Sequence, residues 1–301
     1  MPDTALDEIV LSRFQAQPLL AARAAVGEAG SEAGLASTVE VSLDLGLTQT
    51  DVALTPEGIV FPNGARLSWE QVERIQRAED QCFEIAGSVT HSEARSIQVF
   101  SETTNWLRSL MPTGPTSAPT MLVAGFPMHR IKDTDPWQDT LKKVAAAGPI
   151  TGAVLDTATG LGYTAIAAAR TASAVTTIEL DPAGLEVARH NPWSRDLFAN
   201  PKIHQITGDA FAEVRTLGDS AFSVILHDPP TLSLAGDLYS AAFYRELWRV
   251  LARGGRLFHY IGDPTSALGK RTTAGVTRRL HDSGFRRIIP HPEAFGLTAM
   301  K

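Results

Sequence analysis

The sequence predicts an α/β protein, with a largely parallel seven-stranded sheet in residues 120–301 and a small β-rich α+β domain before it. From Ala153 onwards, short apolar segments alternate with amphipathic segments of helical length. This alternation is typical of a parallel sheet with right-handed helical crossovers. In addition, four predicted strands end at or close to an acidic residue, and the carboxyl ends of strands are where open α/β sheets bind ligands.

The apolar pattern places the individual elements of this sheet. Strands are predicted at Ala153–Asp156, Ala174–Leu180, Ile203–Thr207, Phe222–His227, Arg256–Tyr260, Phe285–Pro290 and Gly296–Lys301. Helices are predicted at Trp137–Ala147, Tyr163–Arg170, Pro182–His190, Ala210–Thr216, Ala241–Leu251 and Ala274–Ser283. We expect the last two strands to be antiparallel neighbours.

The chain divides into three predicted parts. These are a helical segment and linker at 1–37, a small β-rich α+β domain at 38–111, and the sheet domain at 120–301. In the first part Pro18 interrupts a helical pattern, which predicts two short helices or one kinked helix. A helix is also predicted at Ser101–Leu110, with Ser101 as its cap. The Pro/Gly/Ser/Thr-rich residues 112–119 mark the domain boundary.

Composition limits the classes of function. The formal net charge is −6, so the dominant basic surface of a nucleic-acid-binding protein is missing. We find no apolar run of about 18 residues and no basic start before an apolar segment, so we expect no membrane span and a cytoplasmic location. Cys82 is the only cysteine and is expected in a core. The histidines show no metal-ligand spacing, so no metal site is expected. A homodimer remains open.

The segment from Val154 to Gly162 is the strongest local signal. A short buried strand ends in Asp156, a loop with Gly160 and Gly162 follows, and an Ala-rich helix comes next. Glycine lets the backbone turn tightly and approach a ligand closely, because no Cβ is in the way. Strand, acid, glycine loop and helix is the arrangement by which a Rossmann-like sheet binds an adenosine-containing cofactor.

Two further acids extend this site. Glu179 lies about 20 residues beyond the glycine loop, where a carboxylate can accept from both ribose hydroxyls. Asp209 follows the third strand, where it can accept from the exocyclic amine of adenine. The neighbouring residues Ala158, Thr159, Leu180, Ala210 and His227 are assigned to the same cofactor site.

Residues 120–301 resemble the class I S-adenosylmethionine (SAM)-dependent methyltransferases. The first motif of that family is an acid followed by three alternating glycines. Asp156 matches the acid, Gly160 and Gly162 match the second and third glycines, and Ala158 replaces the first. The resemblance implies a Rossmann-like methyltransferase sheet with SAM as cofactor. The whole chain also resembles a little-characterised group of predicted methyltransferases.

Asp228-Pro229-Pro230 follows the fourth strand and is similar to the Asn/Asp-Pro-Pro-aromatic motif of methyltransferases that act on nitrogen. In that motif the acid or amide oxygen and a backbone carbonyl hold the acceptor amine. Prolines stiffen the loop and donate no hydrogen bond. Thr231 stands where such enzymes keep an aromatic residue that stacks on a base. The acceptor class, whether a small molecule, RNA or protein, therefore stays open.

A second resemblance leads to a different reaction. The stretch from His227 to Gly255 is also similar to spermidine-synthase-type aminopropyltransferases, through Asp228-Pro229, Leu238-Tyr239-Ser240, Phe243-Tyr244 and Gly254-Gly255. In such an enzyme decarboxylated SAM is the donor, and Asp228 would deprotonate the attacking amine with help from Tyr239. That family's glycine-rich loop is replaced here by Asp-Thr-Ala-Thr-Gly. We therefore predict Asp228, Pro229 and Tyr239 as catalytic residues. A non-catalytic adenosyl-binding protein is the third hypothesis.

Overall fold

The structure is a computed structural model that describes residues 9–28, 37–88 and 91–301. Two compact units divide the chain. The first comprises Met1–Pro136 and Glu186–Arg195, and the second comprises Trp137–Leu185 and Asp196–Lys301. Residues 1–8 and 29–36 of the helical segment and linker predicted at 1–37 lie outside the described residues. The three-part division predicted from the sequence stays a prediction. In the described ranges, no helix has the length and apolar character needed to cross a membrane.

The first unit is built mainly from short antiparallel strands. Its elements are β1 (Val10–Leu11), α1 (Arg13–Glu28), β2 (Thr38–Val41), β3 (Thr50–Leu54), β4 (Gly58–Val60), β5 (Arg66–Ser68), α2 (Trp69–Arg77), β6 (Phe83–Ser88), β7 (His91–Ser96), β8 (Gln98–Ser101), β9 (Trp106–Met111), β10 (Thr120–Val123) and β11 (Phe126–Pro127). The strands pair in the orders β1-β6-β7, β2-β3-β4-β5 and β11-β10-β9-β8. Pro18 lies inside the single helix α1. Cys82 is buried in this unit, as predicted.

The helix predicted at Ser101–Leu110 is wrong, because Trp106–Met111 forms β9 and pairs antiparallel with β8 and β10. The Oγ of Ser101 accepts a hydrogen bond from the Thr104 N–H at 3.1 Å, which resembles the cap of a helix. Asn105 then adopts a left-handed φ of 56° and reverses the chain. On β9 the buried Arg108 donates to Thr104 Oγ1 at 2.9 Å. Because the charged Arg108 occupies an inward-facing position, the sequence of β9 does not show the apolar–polar alternation that predicts a strand.

The elements from residue 136 onwards match the predicted alternation, with one additional short helix at Arg195–Ala199 that the sequence pattern did not predict. They are α3 (Pro136–Ala147), β12 (Ala153–Asp156), α4 (Tyr163–Ala169), β13 (Ala174–Glu179), α5 (Pro182–Arg189), α6 (Arg195–Ala199), β14 (Ile203–Thr207), α7 (Ala210–Thr216), β15 (Phe222–His227), α8 (Ala241–Val250), β16 (Leu251–Tyr260), α9 (Ala267–Asp282), β17 (Arg286–His291) and β18 (Gly296–Met300).

A seven-stranded sheet with the order β14-β13-β12-β15-β16-β18-β17 forms the centre of the second unit. Pairs from β14 to β16 are parallel, and β18 runs antiparallel to both β16 and β17. The predicted α/β fold and its Rossmann-like seven-stranded sheet are thus confirmed. So is the expectation that the last two strands are antiparallel neighbours.

Two elements begin earlier than predicted. Strand β16 starts at Leu251 rather than Arg256, and its register against β15 shifts between Phe222 and Val224. Helix α9 starts at Ala267 rather than Ala274, because the Ser266 side chain caps it by accepting the Gly269 N–H at 2.9 Å. Gly269 in the first turn lowers the helix propensity of this segment, which weakens the local helical signal there.

Apolar residues on both faces hold the second unit together. The core is formed by fully buried side chains from the sheet and from α8 and α9, including Leu155, Ile225, Phe243, Leu247, Leu257, Val276 and Leu280. From β12 the chain builds outwards to β13 and β14, then returns to add β15 on the other side. The carboxyl ends of β12 and β15 therefore form a topological switch point, where sheets of this kind bind ligands.

Candidate cofactor and acceptor site

The loop after β12 has the backbone geometry that its glycines predict. Gly160 and Gly162 have φ values of 54° and 80°, in the left-handed region that favours glycine. A Cβ added to Gly162 would lie 2.7 Å from Leu197 Cδ2, so side-chain space is also closed there. Ala158 does not adopt a left-handed φ. Alanine can therefore replace the glycine that the motif usually has at this position.

Asp156 lies fully buried at the end of β12. Its Oδ2 accepts hydrogen bonds from the hydroxyls of Thr164 at 3.0 Å and Thr177 at 2.9 Å. Because Thr177 donates to Asp156, the Thr159 hydroxyl is the donor in its 2.6 Å bond to Thr177. Burial raises the pKa of Asp156 and the charge of Asp228 adds to this effect, so the pKa lies at about 7 although the hydroxyls of Thr177 and Thr164 and the Ala158 N–H lower it.

The second oxygen of Asp156 tests whether the site fits SAM. Oδ1 is buried and has no hydrogen-bond partner of good geometry among the described residues, and the backbone N–H of Ala158 contributes to stabilising the ionised carboxylate. A buried acceptor of this kind normally has a partner. SAM carries an ammonium group and a sulfonium group, so a carboxylate oxygen that needs a donor beside the glycine loop fits this cofactor.

Glu179 closes the glycine loop from the neighbouring strand. Its Oε2 accepts the Gly160 N–H at 2.8 Å, and its Oε1 accepts the Asp181 N–H at 3.0 Å. These two bonds orient a half-buried carboxylate at the end of β13, beside the loop. This position fits the predicted role of Glu179 as the acceptor for the ribose hydroxyls.

The remaining predicted cofactor contacts follow β13 and β14. Asp209 is exposed and caps α7, since its Oδ1 accepts the Ala212 N–H at 2.9 Å. Ala210 is buried in the first turn of that helix, and Leu180 is 48% exposed. A helix cap uses one carboxylate oxygen, so the second oxygen of Asp209 can still accept from adenine.

Asp228 is held by a buried lysine that sequence reasoning missed. Lys143 Nζ lies 2.7 Å from Asp228 Oδ2 and 3.0 Å from Asp139 Oδ2. The side chains of Lys143 and Asp139 are 4% and 0% exposed, whereas that of Asp228 is 18% exposed. Lys143 Nζ also lies 4.4 Å from the centre of the Tyr260 ring. We call Asp139, Lys143 and Asp228 the acid–lysine triad.

The triad keeps Lys143 charged. Burial by itself lowers the pKa of an ammonium group, but the charges of Asp228 and Asp139 and the hydrogen bond to Asp228 outweigh it and raise the pKa of Lys143 above its ordinary value. In the sequence, Asp139 and Lys143 have the i,i+4 spacing of an ordinary helix-surface ion pair. Only the fold shows that this pair is buried against Asp228.

His227 and Tyr239 lie beneath the Asp-Pro-Pro loop. His227 Nε2 donates to the Leu238 carbonyl at 3.0 Å, so Nδ1 accepts from the Thr157 hydroxyl at 2.6 Å. Burial lowers the pKa of His227 to about 3, which keeps the ring neutral. The Tyr239 hydroxyl donates to the Pro230 carbonyl at 3.0 Å, and burial raises the pKa of this phenol. The side chains of His227 and Tyr239 are both buried and support the loop. Pro229, which separates Asp228 from Pro230 in the chain, is buried as well.

The structure thus brings most predicted site residues to one edge of the sheet. Asp156 pairs in register with Thr177 on β13 and Leu226 on β15, so Glu179 and Asp228 follow directly on either side of it. The side chains of His227 and Tyr239 are instead packed inside the unit. In the described ranges, no group of three histidine, cysteine, aspartate or glutamate residues could hold a metal ion.

Comparison with known proteins agrees with this geometry. The model of a family described as a methyltransferase domain matches residues 155–259. Uncharacterized protein MJ1233 of Methanocaldococcus jannaschii is 40% identical over 270 residues, which cover 87% of this chain and 90% of that protein. A polyamine aminopropyltransferase of Mycobacterium tuberculosis is 41% identical over 98 residues, covering 30% of this chain and 18% of that protein.

Among solved structures, spermidine synthase from Thermotoga maritima matches with a TM-score of 0.52 and 17% identity, over 72% of this chain and 76% of that chain. At this identity the likeness concerns the fold alone. Fold, strand order and family match together define a protein of the class I SAM-dependent methyltransferase superfamily, with S-adenosyl-L-methionine as its cofactor. Within that superfamily, the chain belongs to the same family as MJ1233.

Proposed function

We propose that this protein transfers the methyl group of SAM to a nitrogen atom held at Asp228-Pro229-Pro230. The observation that carries this proposal is the contact between Lys143 and Asp228. Lys143 binds Oδ2, and no described residue donates a hydrogen bond to Oδ1 of the partly exposed Asp228. One oxygen is therefore fixed, and the other can accept an N–H from the substrate. A cytoplasmic location and a homodimer stay predictions.

The residues of this chain act mainly by orientation. SAM, when bound, supplies an electrophilic methyl group on a sulfonium leaving group. Asp228 Oδ1 accepts one N–H of the acceptor and turns the nitrogen lone pair towards that carbon. SAM would supply the methyl group and leave as S-adenosylhomocysteine, and Asp228 would keep its contact with Lys143 while the methylated nitrogen gives up its proton to water. Holding two reactants in line in this way can supply most of the rate enhancement.

Several residues keep the two ligands in place. In this proposal Glu179 binds the ribose hydroxyls, Asp209 binds the adenine amine, and Asp156 binds the ammonium group of SAM. The Tyr239 hydroxyl occupies the Pro230 carbonyl, so it stiffens the loop and leaves the Pro229 carbonyl as the second acceptor for the substrate amine.

Aminopropyl transfer is the second candidate. It is favoured by the local 41% identity with a polyamine aminopropyltransferase. In that reaction Asp228 would take a proton from the attacking amine. The short hydrogen bond from Lys143 to Asp228 at 2.7 Å favours an orienting role instead, because a carboxylate already bound to an ammonium group is a weaker proton acceptor.

Calorimetric titration separates the candidates. The purified chain is titrated with SAM, decarboxylated SAM and S-adenosylhomocysteine. We expect SAM and S-adenosylhomocysteine to bind with similar affinity and decarboxylated SAM to bind more weakly. Much tighter binding of decarboxylated SAM would replace methyl transfer by aminopropyl transfer. If none of the three binds, both enzymatic proposals fail.

The role of Asp228 is tested with radiolabelled SAM and a panel of acceptors that contains polyamines, peptides and RNA. Asp228→Asn should bind SAM within about twofold of the wild type but lose at least about tenfold in turnover. Lys143 donates to the one oxygen that the amide keeps, so the amide NH2 group faces the substrate and cannot accept its N–H. The matched control is Asp237→Asn, an exposed acid in the turn that follows the same loop. Loss of SAM binding in Asp228→Asn would show that the residue is structural.

A further inference from the structure

A second charged site lies between α9 and β17, away from the acid–lysine triad. A groove of about 510 Å³ is lined by Arg278 and His281 of α9 and by Phe285, Arg286, Arg287 and Ile288 of the following segment. Three arginines on one groove are unexpected in a chain whose formal net charge is −6. Such a concentration of like charge indicates an anionic ligand.

The backbone of β17 places two consecutive arginines on the same groove. In a regular strand neighbouring side chains point to opposite faces. Here Arg286 pairs with Met300 but Ile289 pairs with Thr298, so β17 carries one extra residue. Arg287 within this bulge has a left-handed φ of 48°, which is unusual for a residue with a side chain. A bulge redirects side chains, and this one brings Arg286 and Arg287 together.

These guanidinium groups are not used to stabilise the fold. Arg278, Arg286 and Arg287 are all exposed. In the part of the chain that the structure describes, none of their side chains forms a hydrogen bond or an ion pair, whereas the adjacent Arg279 donates to the Tyr239 carbonyl at 2.8 Å. The groove therefore presents three guanidinium groups with which no described side chain forms a hydrogen bond or an ion pair.

We propose that this groove binds the phosphate groups of a single-stranded nucleic acid. Planar guanidinium groups match phosphate oxygens with paired hydrogen bonds. Each contact at an exposed position is weak, so a useful affinity needs several linked phosphates that meet all three arginines at once. A polymer meets this requirement, and a single phosphate group does not.

The groove is separate from the candidate active site. Three strand spacings, about 14 Å, divide β17 from β15, and Arg286 lies at the start of β17, which runs parallel to β15. The groove thus lies towards the opposite end of the strands from Asp228. Nucleic-acid binding there needs neither SAM nor methyl transfer, so it can be tested independently of the proposed function.

Fluorescence anisotropy with a labelled 15-nucleotide oligouridine RNA tests this inference. The variant Arg278→Gln/Arg286→Gln/Arg287→Asn removes the three charges, and asparagine tolerates the left-handed φ at position 287. The matched control Arg215→Gln/Arg245→Gln/Arg253→Gln removes three exposed charges elsewhere in the second unit. We expect the groove variant to lose at least about tenfold in affinity and the control to stay within about threefold.

Salt dependence and competitors sharpen the result. Three phosphate contacts predict a slope of about −2 for the logarithm of affinity against the logarithm of salt concentration, and the groove variant should flatten it. Equal losses in both triple variants, or no RNA binding by the wild type in low salt, would overturn the proposal. So would tripolyphosphate or polyglutamate binding as tightly as RNA. If the triple variant does not fold, the single variant Arg278→Gln, on the exposed face of α9, tests the same groove and should lose a smaller part of the RNA affinity.

Discussion

The raised pKa of Asp156, together with the proposed contact to SAM, predicts that SAM affinity depends on pH. In the cofactor-free protein, burial holds this pKa at about 7, so the carboxyl group carries a proton at lower pH. In the proposed function, contact of Asp156 with the ammonium group of SAM favours the ionised carboxylate. Binding therefore expels a proton wherever the free protein holds one, and affinity must rise with pH up to about 7.

The size of this effect follows from the ionised fraction. For a pKa of about 7, that fraction rises from about 3% at pH 5.5 to about 50% at pH 7, so affinity should increase about 15-fold, or about 1.6 kcal/mol. The buried histidines do not titrate in this window, because burial lowers the pKa of His227 to about 3 and that of His259 well below its ordinary value. The α-amino group of a cofactor, with a pKa near 7.7–8.0, stays mainly charged.

Calorimetric titration across pH 5.5–7, in buffers with different ionisation enthalpies, measures both affinity and proton release. We expect about 0.9 proton released at pH 6 and about 0.5 at pH 7. Asp156→Asn should lose the pH dependence, since an amide does not ionise, whereas Asp196→Asn, at an exposed acid of α6, should keep it. A flat wild-type profile, or proton uptake on binding, would refute the reasoning.

Two further predictions concern charge at the site. Lys143→Met leaves two carboxylates without their buried counter-charge, so urea denaturation should show a loss of about 3–5 kcal/mol in unfolding free energy. The control Lys142→Met, at the exposed neighbour, should change the unfolding free energy by less than about 0.5 kcal/mol. A loss below about 1 kcal/mol in Lys143→Met would contradict the buried triad. Glu179→Ala should weaken SAM binding by about 1–3 kcal/mol in calorimetry, which is the cost of leaving polar partners unpaired. Asp282→Ala, at an exposed acid, is the control. Unchanged SAM affinity in Glu179→Ala would exclude the ribose contact.

The sheet was predictable because its local and global signals agree. Most strands of the second unit are short apolar runs that end near a glycine, a proline or an acid, so the periodicity locates most elements within a few residues, apart from the early starts of β16 and α9. The same logic places Asp156, Glu179 and Asp228 at one edge, because carboxyl ends of parallel strands meet there. Strand order then makes Asp156 and Asp228 neighbours across β12 and β15.

Other features depend on tertiary contacts that no local pattern reports. Ser101 forms a cap-like bond, yet the left-handed Asn105 turns the chain into β9 instead of a helix. Lys143 has an ordinary surface spacing to Asp139, and only packing against β15 and the Tyr260 ring reveals it as buried. The bulge that brings Arg286 and Arg287 together is likewise visible only in the pairing register of β17 and β18, and no local sequence pattern indicates it.

The acid–lysine triad also bears on the choice between the two proposed reactions. A general base must be free to take a proton and hand it on, whereas an orienting acceptor must keep one geometry through the reaction. Asp228 is held at 2.7 Å by a lysine whose own charge is secured by Asp139. That arrangement fixes the carboxylate in place at the cost of its capacity as a base. It therefore suits methyl transfer, in which the leaving group is already activated and the acceptor nitrogen mainly needs to be aimed.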